Sequence, residues 1–312
     1  MKVVHSVEAL SDPKTGPVVS PAVVIGNLDG VHRGHQALIA SARAAADARG
    51  GTPCVLTFSP HPQEVLRGSS HGHRLTTDAE KFELLAQAGI GLVLALPFNA
   101  TLAALTPEAF FETYLAQGLC AASVHVGDDF HFGRARSGDT ALLKECGLRA
   151  SMQVAIVPAV VADGLRISSS EIRGFLKAGK VAQAAAFLGR PYRLSGQVVR
   201  GQGRGRQLGV PTANLQFPAE KVAPLHGVYA TRVWRAGRAL PAVSNFGVRP
   251  TFEGGAPREA FETHILDFSE DLYGQSLEVD FVQWIRAEQR FDGVPALRAQ
   301  IAADIETARS MR

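Results

Sequence analysis

The chain has 312 residues, 46% of them hydrophobic and 20% charged, which excludes a disordered, fibrous or mini-protein reading and is long enough for two domains. Thirty-two Lys plus Arg against 29 Asp plus Glu leave a formal charge of +3, too weak to argue for a nucleic-acid or membrane-surface protein. The excess is uneven: residues 1–186 hold 16 basic and 16 acidic groups, residues 187–312 hold 16 and 13, so a second domain suited to an anionic ligand is expected.

Cys54, Cys120 and Cys146 are widely spaced without a CxxC, which suggests neither a disulfide framework nor a thiolate zinc site and points to a reducing cytoplasm. The opening MKVVHSVEALSDPKTG is interrupted by His5, Glu8 and Asp12, and no apolar run approaches the roughly 18–20 residues of a membrane span.

In chain order, AVVIG (22–26), CVLTF (54–58), LVLAL (92–96), SVHVG (123–127) and VAIV (154–157) read as buried strands, being continuous rather than alternating in polarity. Helical patterns lie between them. Thr77 with Glu80 forms a capping box ahead of Phe82, Leu84 and Leu85, with a stop at Gly89; Thr106 caps a second helix with Pro107 in its first position. Strict alternation predicts a parallel sheet covered on both faces, with chemistry in the turns after the strands. After about Leu188 the period becomes two. SLEVDFVQW (276–284) puts Leu277, Val279 and Phe281 on one face and Glu278 and Asp280 on the other. Gly and Pro punctuate the segment, as expected of a small antiparallel barrel or sandwich. A closing helix over 295–308 carries Leu297, Ile301 and Ile305 on one stripe.

The first strand runs through Gly26-Asn27-Leu28-Asp29-Gly30-Val31-His32-Arg33-Gly34-His35 into a helical pattern. Glycines let backbone amides approach a ligand, and a helix start offers unpaired N–H groups, so the place suits an anion. His32 and His35 project to one side and can donate to phosphate oxygens. No Cys, Ser or Lys nucleophile stands among them, which favours direct in-line attack over a covalent nucleotidyl-enzyme. A zinc pair completed by His61, His71 or His73 is the alternative.

These ten residues resemble the nucleotide-binding signature of the bacterial bifunctional riboflavin kinase/FMN adenylyltransferases, or FAD synthetases, with Leu28 where that family usually has Phe. The resemblance assigns Gly26, Asn27, Asp29 and Gly30 to the nucleotide and the HxGH pair His32 and His35 to catalysis on ATP phosphates. Further segments match in order. Thr57-Phe58-Ser59-Pro60-His61-Pro62 resembles TFxPHP, though alone it reads as a Pro-rich turn. Gly127-Asp128-Asp129-Phe130-His131-Phe132-Gly133 is similar to a segment holding adenosine and flavin, which implicates Asp129. Ile167-Ser168-Ser169-Ser170-Glu171-Ile172-Arg173 resembles ISSTxIR and implicates Ser168, Ser169 and Arg173; Ser168 with Glu171 is equally a capping box, and both readings can hold. GFLKAGK (174–180) imitates a P-loop, but Val181 replaces the magnesium-ligating hydroxyl and no strand precedes it.

Residues 200–209 hold four glycines and three arginines, a loop able to wrap polyphosphate or, on composition alone, RNA. Thr212 and Asn214, two apart in the following PTAN, would face one way on an extended chain and offer hard oxygens suited to Mg²⁺, or simply satisfy a turn. GRxLGxPTAN, Gly227-Val228-Tyr229-Ala230, Asn245-Phe246-Gly247-Val248-Arg249-Pro250-Thr251 and Glu262-Thr263-His264-Ile265-Leu266-Asp267-Phe268 resemble the riboflavin kinase half of the same family. This implies Thr212 and Asn214 as metal and ATP ligands, Gly203, Gly205 and Arg206 at the nucleotide, and Glu262 as general base. Chemistry favours the last role independently: a primary alcohol needs a proton acceptor, whereas an attacking phosphate is already anionic.

The expected molecule is an α/β enzyme with a Rossmann-like parallel-sheet nucleotidyltransferase domain (1–186), followed by a small antiparallel β-barrel kinase domain with a C-terminal helix (187–312). The resemblance implies riboflavin, FMN and ATP as partners, Mg²⁺ as cofactor and FMN and FAD as products, in the cytoplasm, with no nucleic acid or membrane. The sequence assigns no oligomeric state. One active half beside a sensor domain, or a noncatalytic flavin or RNA module, are the competing readings.

Overall fold

In the computed structural model, which describes residues 1–13, 16–68, 71–201, 203, 205, 208–249 and 258–311, packing divides the chain into two units, Met1–Ser169 and Ser170–Arg312. The first is built on six parallel strands, β1 (Lys2–Val4), β2 (Ala22–Ile25), β3 (Pro53–Ser59), β4 (Leu92–Pro97), β5 (Ser123–Gly127) and β6 (Gln153–Val157), in the order β1-β4-β3-β2-β5-β6. Their residues alternate strictly between two cores. Val23, Ile25, Cys54, Leu56, Leu92 and Leu94 pack on one face with Phe110, Phe111, Leu115 and Leu143. Ala22, Val24, Val55, Val93 and Ala95 pack on the other with Ile39, Ala42 and Ala46 of helix α1 (Arg33–Asp47) and Leu85 of a later helix. Both faces are therefore covered, which is why the strands read as unbroken apolar runs. The expectation fails in part only at the edges: β6 is half-buried, and β1 is too short to stand out beside His5.

The predicted caps are present. After α2 (Pro62–Arg67), Thr77 and Glu80 exchange bonds of 3.2 and 2.9 Å at the head of α3 (Asp78–Gln87). Beyond the single turn α4 (Ala100–Ala103), Thr106 caps α5 (Pro107–Phe110), which continues as a π-helical stretch, Phe111–Gly118. The chain leaves β2 toward β3 in one direction and β5 toward β6 in the other. The crevice at the carboxyl ends of β2 and β5 is thus a topological switch point, the place where such sheets bind ligands. Gly26 and Gly127 stand there.

After β6 the chain forms a short antiparallel pair, β7 (Val161–Ala162) and β8 (Leu165–Arg166). The second unit is a closed antiparallel barrel, β10-β13-β12-β11-β14-β9, formed by β9 (Tyr192–Val199), β10 (Ala213–Gln216), β11 (Gly227–Arg235), β12 (Arg238–Arg249), β13 (Arg258–Ile265) and β14 (Ser276–Arg286). Its interior is aromatic, with Tyr192, Tyr229, Phe246, Phe261 and Phe281 buried. Leu277, Val279 and Phe281 point inward as their alternation predicts. Asp280 is on the opposite face but only 4% exposed, because Arg193 grips it through bonds of 2.6 and 3.0 Å and Trp234 Nε1 donates to it at 2.5 Å. The closing helix spans Val294–Ser310 and flanks β11 and β12. Its stripe is half-buried, and its deepest positions are Ala308 and Asp304, the latter held by Arg286 Nη2 at 2.7 Å. Two helices of residues 169–188 precede the barrel, and buried Val181, Ala184, Phe187 and Leu188 of the second face β14 and β9. GFLKAGK falls in the first of these helices and the turn that follows it. Among the described residues no helix is long and apolar enough to cross a membrane.

His125 on β5, 3% exposed, lies between Ser41 Oγ of α1 (2.9 Å) and Ser123 Oγ (3.0 Å). Burial, and then the charge of Arg49, push its pKa down to about 4. An unfolded chain would protonate this ring near the ordinary value of 6.5, so below that pH the unfolded state binds the extra proton. Stability should be full above about pH 7 and fall toward pH 4, by up to about 1.4 kcal/mol per pH unit. Urea denaturation at several pH values should show this decline. His125→Asn should start less stable by about 1–3 kcal/mol but decline less steeply.

Candidate active sites

The loop between β2 and α1 is wound tightly. Leu28 (φ 50°) and Val31 (φ 40°) adopt left-handed backbone, unfavourable for any side chain and most of all for a β-branched one. Both side chains are buried, and Leu28 packs in the core shared with α1. Asp29, 4% exposed, accepts from the amides of Leu75 and Thr76 at 3.0 Å and from the Thr76 hydroxyl at 3.2 Å. Gly30 N–H donates to the same hydroxyl (3.0 Å), and Ser169 Oγ donates to the Asp29 carbonyl (3.0 Å). Asn27 O receives Thr57 Oγ1 at 3.2 Å. Asn27, Asp29 and Gly30, expected at the nucleotide, thus brace the loop.

The loop delivers His32 to the N-cap of α1, where its Nδ1 accepts the His35 amide at 3.3 Å. That bond leaves the ring proton to Nε2. The His32 and His35 rings stack with centroids 3.6 Å apart and planes 18° from parallel. A Cβ on Gly34 would lie 3.1 Å from the His32 ring and 3.4 Å from the Ile167 carbonyl, so the glycine of HxGH is the gap between the rings and the chain beyond. Gly26, His32, His35, Asp129, Ser168 and Ser169 line one cavity of about 250 Å³ at the switch point. Arg173 belongs to the second unit, within the helix Ser169–Lys177.

Arg166 also lines this cavity, between Asp128 (2.6 Å) and Asp129 (2.8 Å). Sequence reasoning missed it; its only signal was a basic residue just before ISSS. His61 caps α2, with its Nδ1 accepting Gln63 N–H at 3.2 Å, and among the described residues no three His, Cys, Asp or Glu side chains gather as a metal site.

In the barrel, a second cavity of about 330 Å³ lies beneath the glycine loop that follows β9, lined by Gly201, Gly203, Gly205, Thr212, Asn214 and the segment 268–273. Arg206, like Arg204, lies outside the described residues; the Arg200 guanidinium is 5.7 Å from the centre of the Tyr273 ring. A Cβ on Gly201 would fall 2.2 Å from the Asn214 amide nitrogen, and one on Gly205 would fall 3.0 Å from Thr212 Oγ1. The loop therefore closes directly over the two side chains that sequence singles out. Thr212 Oγ1 donates to Glu262 Oε2 at 3.4 Å, and Asn214 stands opposite Glu262 across β10 and β13. Neutral oxygens beside a carboxylate under a glycine cradle are a donor set that fits a small hard cation and phosphate oxygens.

Comparison with known proteins gives the family of each half. Residues 19–171 match the FAD synthetase family model and 188–312 the riboflavin kinase model. The bifunctional riboflavin kinase/FMN adenylyltransferase of Pseudomonas fluorescens is 42% identical over 92% of this chain and 91% of its own length, and that of Escherichia coli K12 39% identical over 99% and 97%. A crystal structure from Streptococcus pneumoniae described as a macrolide-efflux protein is 32% identical, with a TM-score of 0.88 over 99% of this chain and 98% of that one. Two family models in tandem and relatives aligned almost end to end agree on one conclusion: the chain belongs to the bifunctional riboflavin kinase/FMN adenylyltransferase family.

Proposed function

We propose that the two activities of this bifunctional enzyme are divided between the two cavities, riboflavin phosphorylation in the barrel and adenylylation of FMN at the parallel sheet. The observation that carries this division is the meeting of Glu262 with Thr212 and Asn214 under the glycine loop. In the barrel, Glu262 accepts the proton of the ribityl primary hydroxyl as that oxygen attacks the γ-phosphorus of ATP. Thr212, Asn214 and the loop of Gly203, Gly205 and Arg206 hold the triphosphate. Mg²⁺ on Thr212 and Asn214 would offset the charge on the transferring phosphoryl oxygens.

At the sheet, FMN supplies an anionic phosphate that attacks the α-phosphorus of a second ATP, so no base is required. His32 and His35, stacked at the start of α1, donate to the phosphate oxygens and to the departing pyrophosphate. Gly26, Ser168, Ser169 and Asp129 line the cavity that would take the nucleotide. Asn27, Asp29 and Gly30 contribute by holding the loop. We take 1–186 and 187–312 as the functional domains and the cytoplasm as the location, a reading supported by free, buried Cys54 and Cys146.

Separation of the flavin products after incubation with riboflavin and MgATP tests the division. Glu262→Gln should lower FMN formation by about 10²–10⁴-fold while supplied FMN is still converted to FAD. His32→Ala with His35→Ala should lower FAD formation by at least about 10²-fold and leave FMN formation intact. Removing Mg²⁺ with a chelator should stop the kinase step.

A further inference from the structure

We infer that Asn245 is the residue through which the barrel reads the sugar-alcohol chain of its substrate, with Glu288 keeping its place until that chain arrives; this rests on the kinase reading above. Asn245 on β12 stands opposite Glu262 on β13, and Glu262 stands opposite Asn214 on β10. Residues paired in this way share a face with Cβ atoms about 4.5–5.5 Å apart. Asn214, Glu262 and Asn245 therefore form a row across three strands with Glu262 in the middle. Their chain neighbours Ser244, Phe246, Phe261 and Thr263 are buried in the barrel, so the row lies on the outer face.

The flanks of the row differ. On the Asn214 side are Thr212 and the glycine loop, where the phosphate donor would sit. Phosphoryl transfer brings the attacking oxygen in opposite the leaving one, so an alcohol deprotonated by the middle carboxylate approaches from the Asn245 side. Asn245 is equipped to receive it. Its Nδ2 donates to Glu288 Oε1 at 3.1 Å; because a carboxylate only accepts, this bond fixes the orientation of the amide. Its Oδ1 is buried and has no hydrogen-bond partner among the described residues. Neighbouring hydroxyls satisfy both ends of such an amide, one donating to Oδ1 and the next accepting from Nδ2. A carboxylate or an ammonium would satisfy only one.

Glu288 occupies the space this chain would need. A Cβ on Gly247 would fall 2.1 Å from Glu288 Oε1, so the glycine keeps a groove open beside Asn245 and the carboxylate fills it. Glu288 is exposed on the segment after β14 and can swing out, releasing Nδ2.

The test compares riboflavin with a flavin bearing an unbranched 5-hydroxypentyl chain, which keeps the reacting hydroxyl and lacks the other three. Asn245→Leu should raise the KM for riboflavin about tenfold or more, leave the KM for ATP unchanged and erase the preference of the enzyme for riboflavin. Asn245→Ser, a milder change, should erode that preference in part should the leucine variant fail to fold. Glu288→Ala should leave the KM for riboflavin equal or lower. A wild-type preference in the Asn245 variants, or a Glu288→Ala KM raised as far as that of Asn245→Leu, would overturn the inference. Glu262→Gln measured in parallel separates the two claims: full turnover there defeats the kinase reading itself, whereas an inactive Glu262→Gln with unaltered Asn245 variants defeats this inference alone.

Discussion

The carboxylate of Asp29 accepts the backbone amides of Leu75 and Thr76 and the Thr76 hydroxyl, and the geometry of the first site depends on it. Two non-glycine residues on either side of it are in left-handed backbone, at a cost of about 1–3 kcal/mol each. Hydrogen bonds to a charged group contribute about 1.5–3 kcal/mol apiece, enough to hold such a loop. The segment that donates them is itself immobilised. Arg74 meets Glu64 at 2.5 and 2.7 Å and Asp78 at 3.2 Å, and Lys81 and Ser59 complete the partners of Asp78. The bonds to Glu64 raise the already high pKa of Arg74. Burial alone would raise that of Asp78, but Lys81, Ser59 and Arg74 outweigh it and leave the carboxyl below its ordinary range. This charged scaffold fixes where α1 begins, and with it the stacked histidines.

In the barrel the equivalent constraint is register. Strand β13 buries Phe261, Thr263 and Ile265, which turns Glu262 and His264 outward. Inside, Thr263 shares a chain of 2.8 Å bonds with Ser244 and Thr231, so the hydroxyls of three strands satisfy one another. Outside, His264 Nδ1 bonds the Pro211 carbonyl at 2.8 Å and ties down the chain just before Thr212. A slip of one residue in β13 would send Glu262 into the aromatic core and break both arrangements. The closed barrel leaves no edge at which such a slip could begin.

The parallel sheet was legible because both of its faces are covered, so each internal strand reads as a short apolar run and each helix carries its own cap. The barrel was legible through its period of two. What escaped depended on contacts distant in sequence. Asp280 reads as a solvent-facing residue until Arg193, 87 positions away, is seen to hold it. Asp29 reads as a ligand residue because it sits in a glycine-rich signature, yet its partners lie 46 and 47 positions on. Arg166 escaped because a lone arginine on a two-residue strand, Leu165–Arg166, has no pattern. The residues that sequence did bring together, His32 with His35 and Thr212 with Asn214, are close in the chain, where helical or extended geometry alone decides their common side.

In the proposed division the two cavities treat phosphate by different physics, and the reason lies in the acceptor. An alcohol must lose a proton, so the proposed kinase site needs a carboxylate, and a carboxylate repels the triphosphate beside it. In that proposed site, neutral oxygens from Thr212 and Asn214, the cation they would hold and the arginines of the 200–209 segment would offset that repulsion, which would give the excess positive charge of the second half its use. A phosphate acceptor brings its own negative charge and needs no base, so the sheet site can do without net charge. A helix start, ring N–H groups and one arginine already shared with Asp128 and Asp129 supply directed donors that balance the charge only where it develops. A neutral first half and a basic second half are therefore the expected consequence of joining one reaction that makes an anion to another that consumes it.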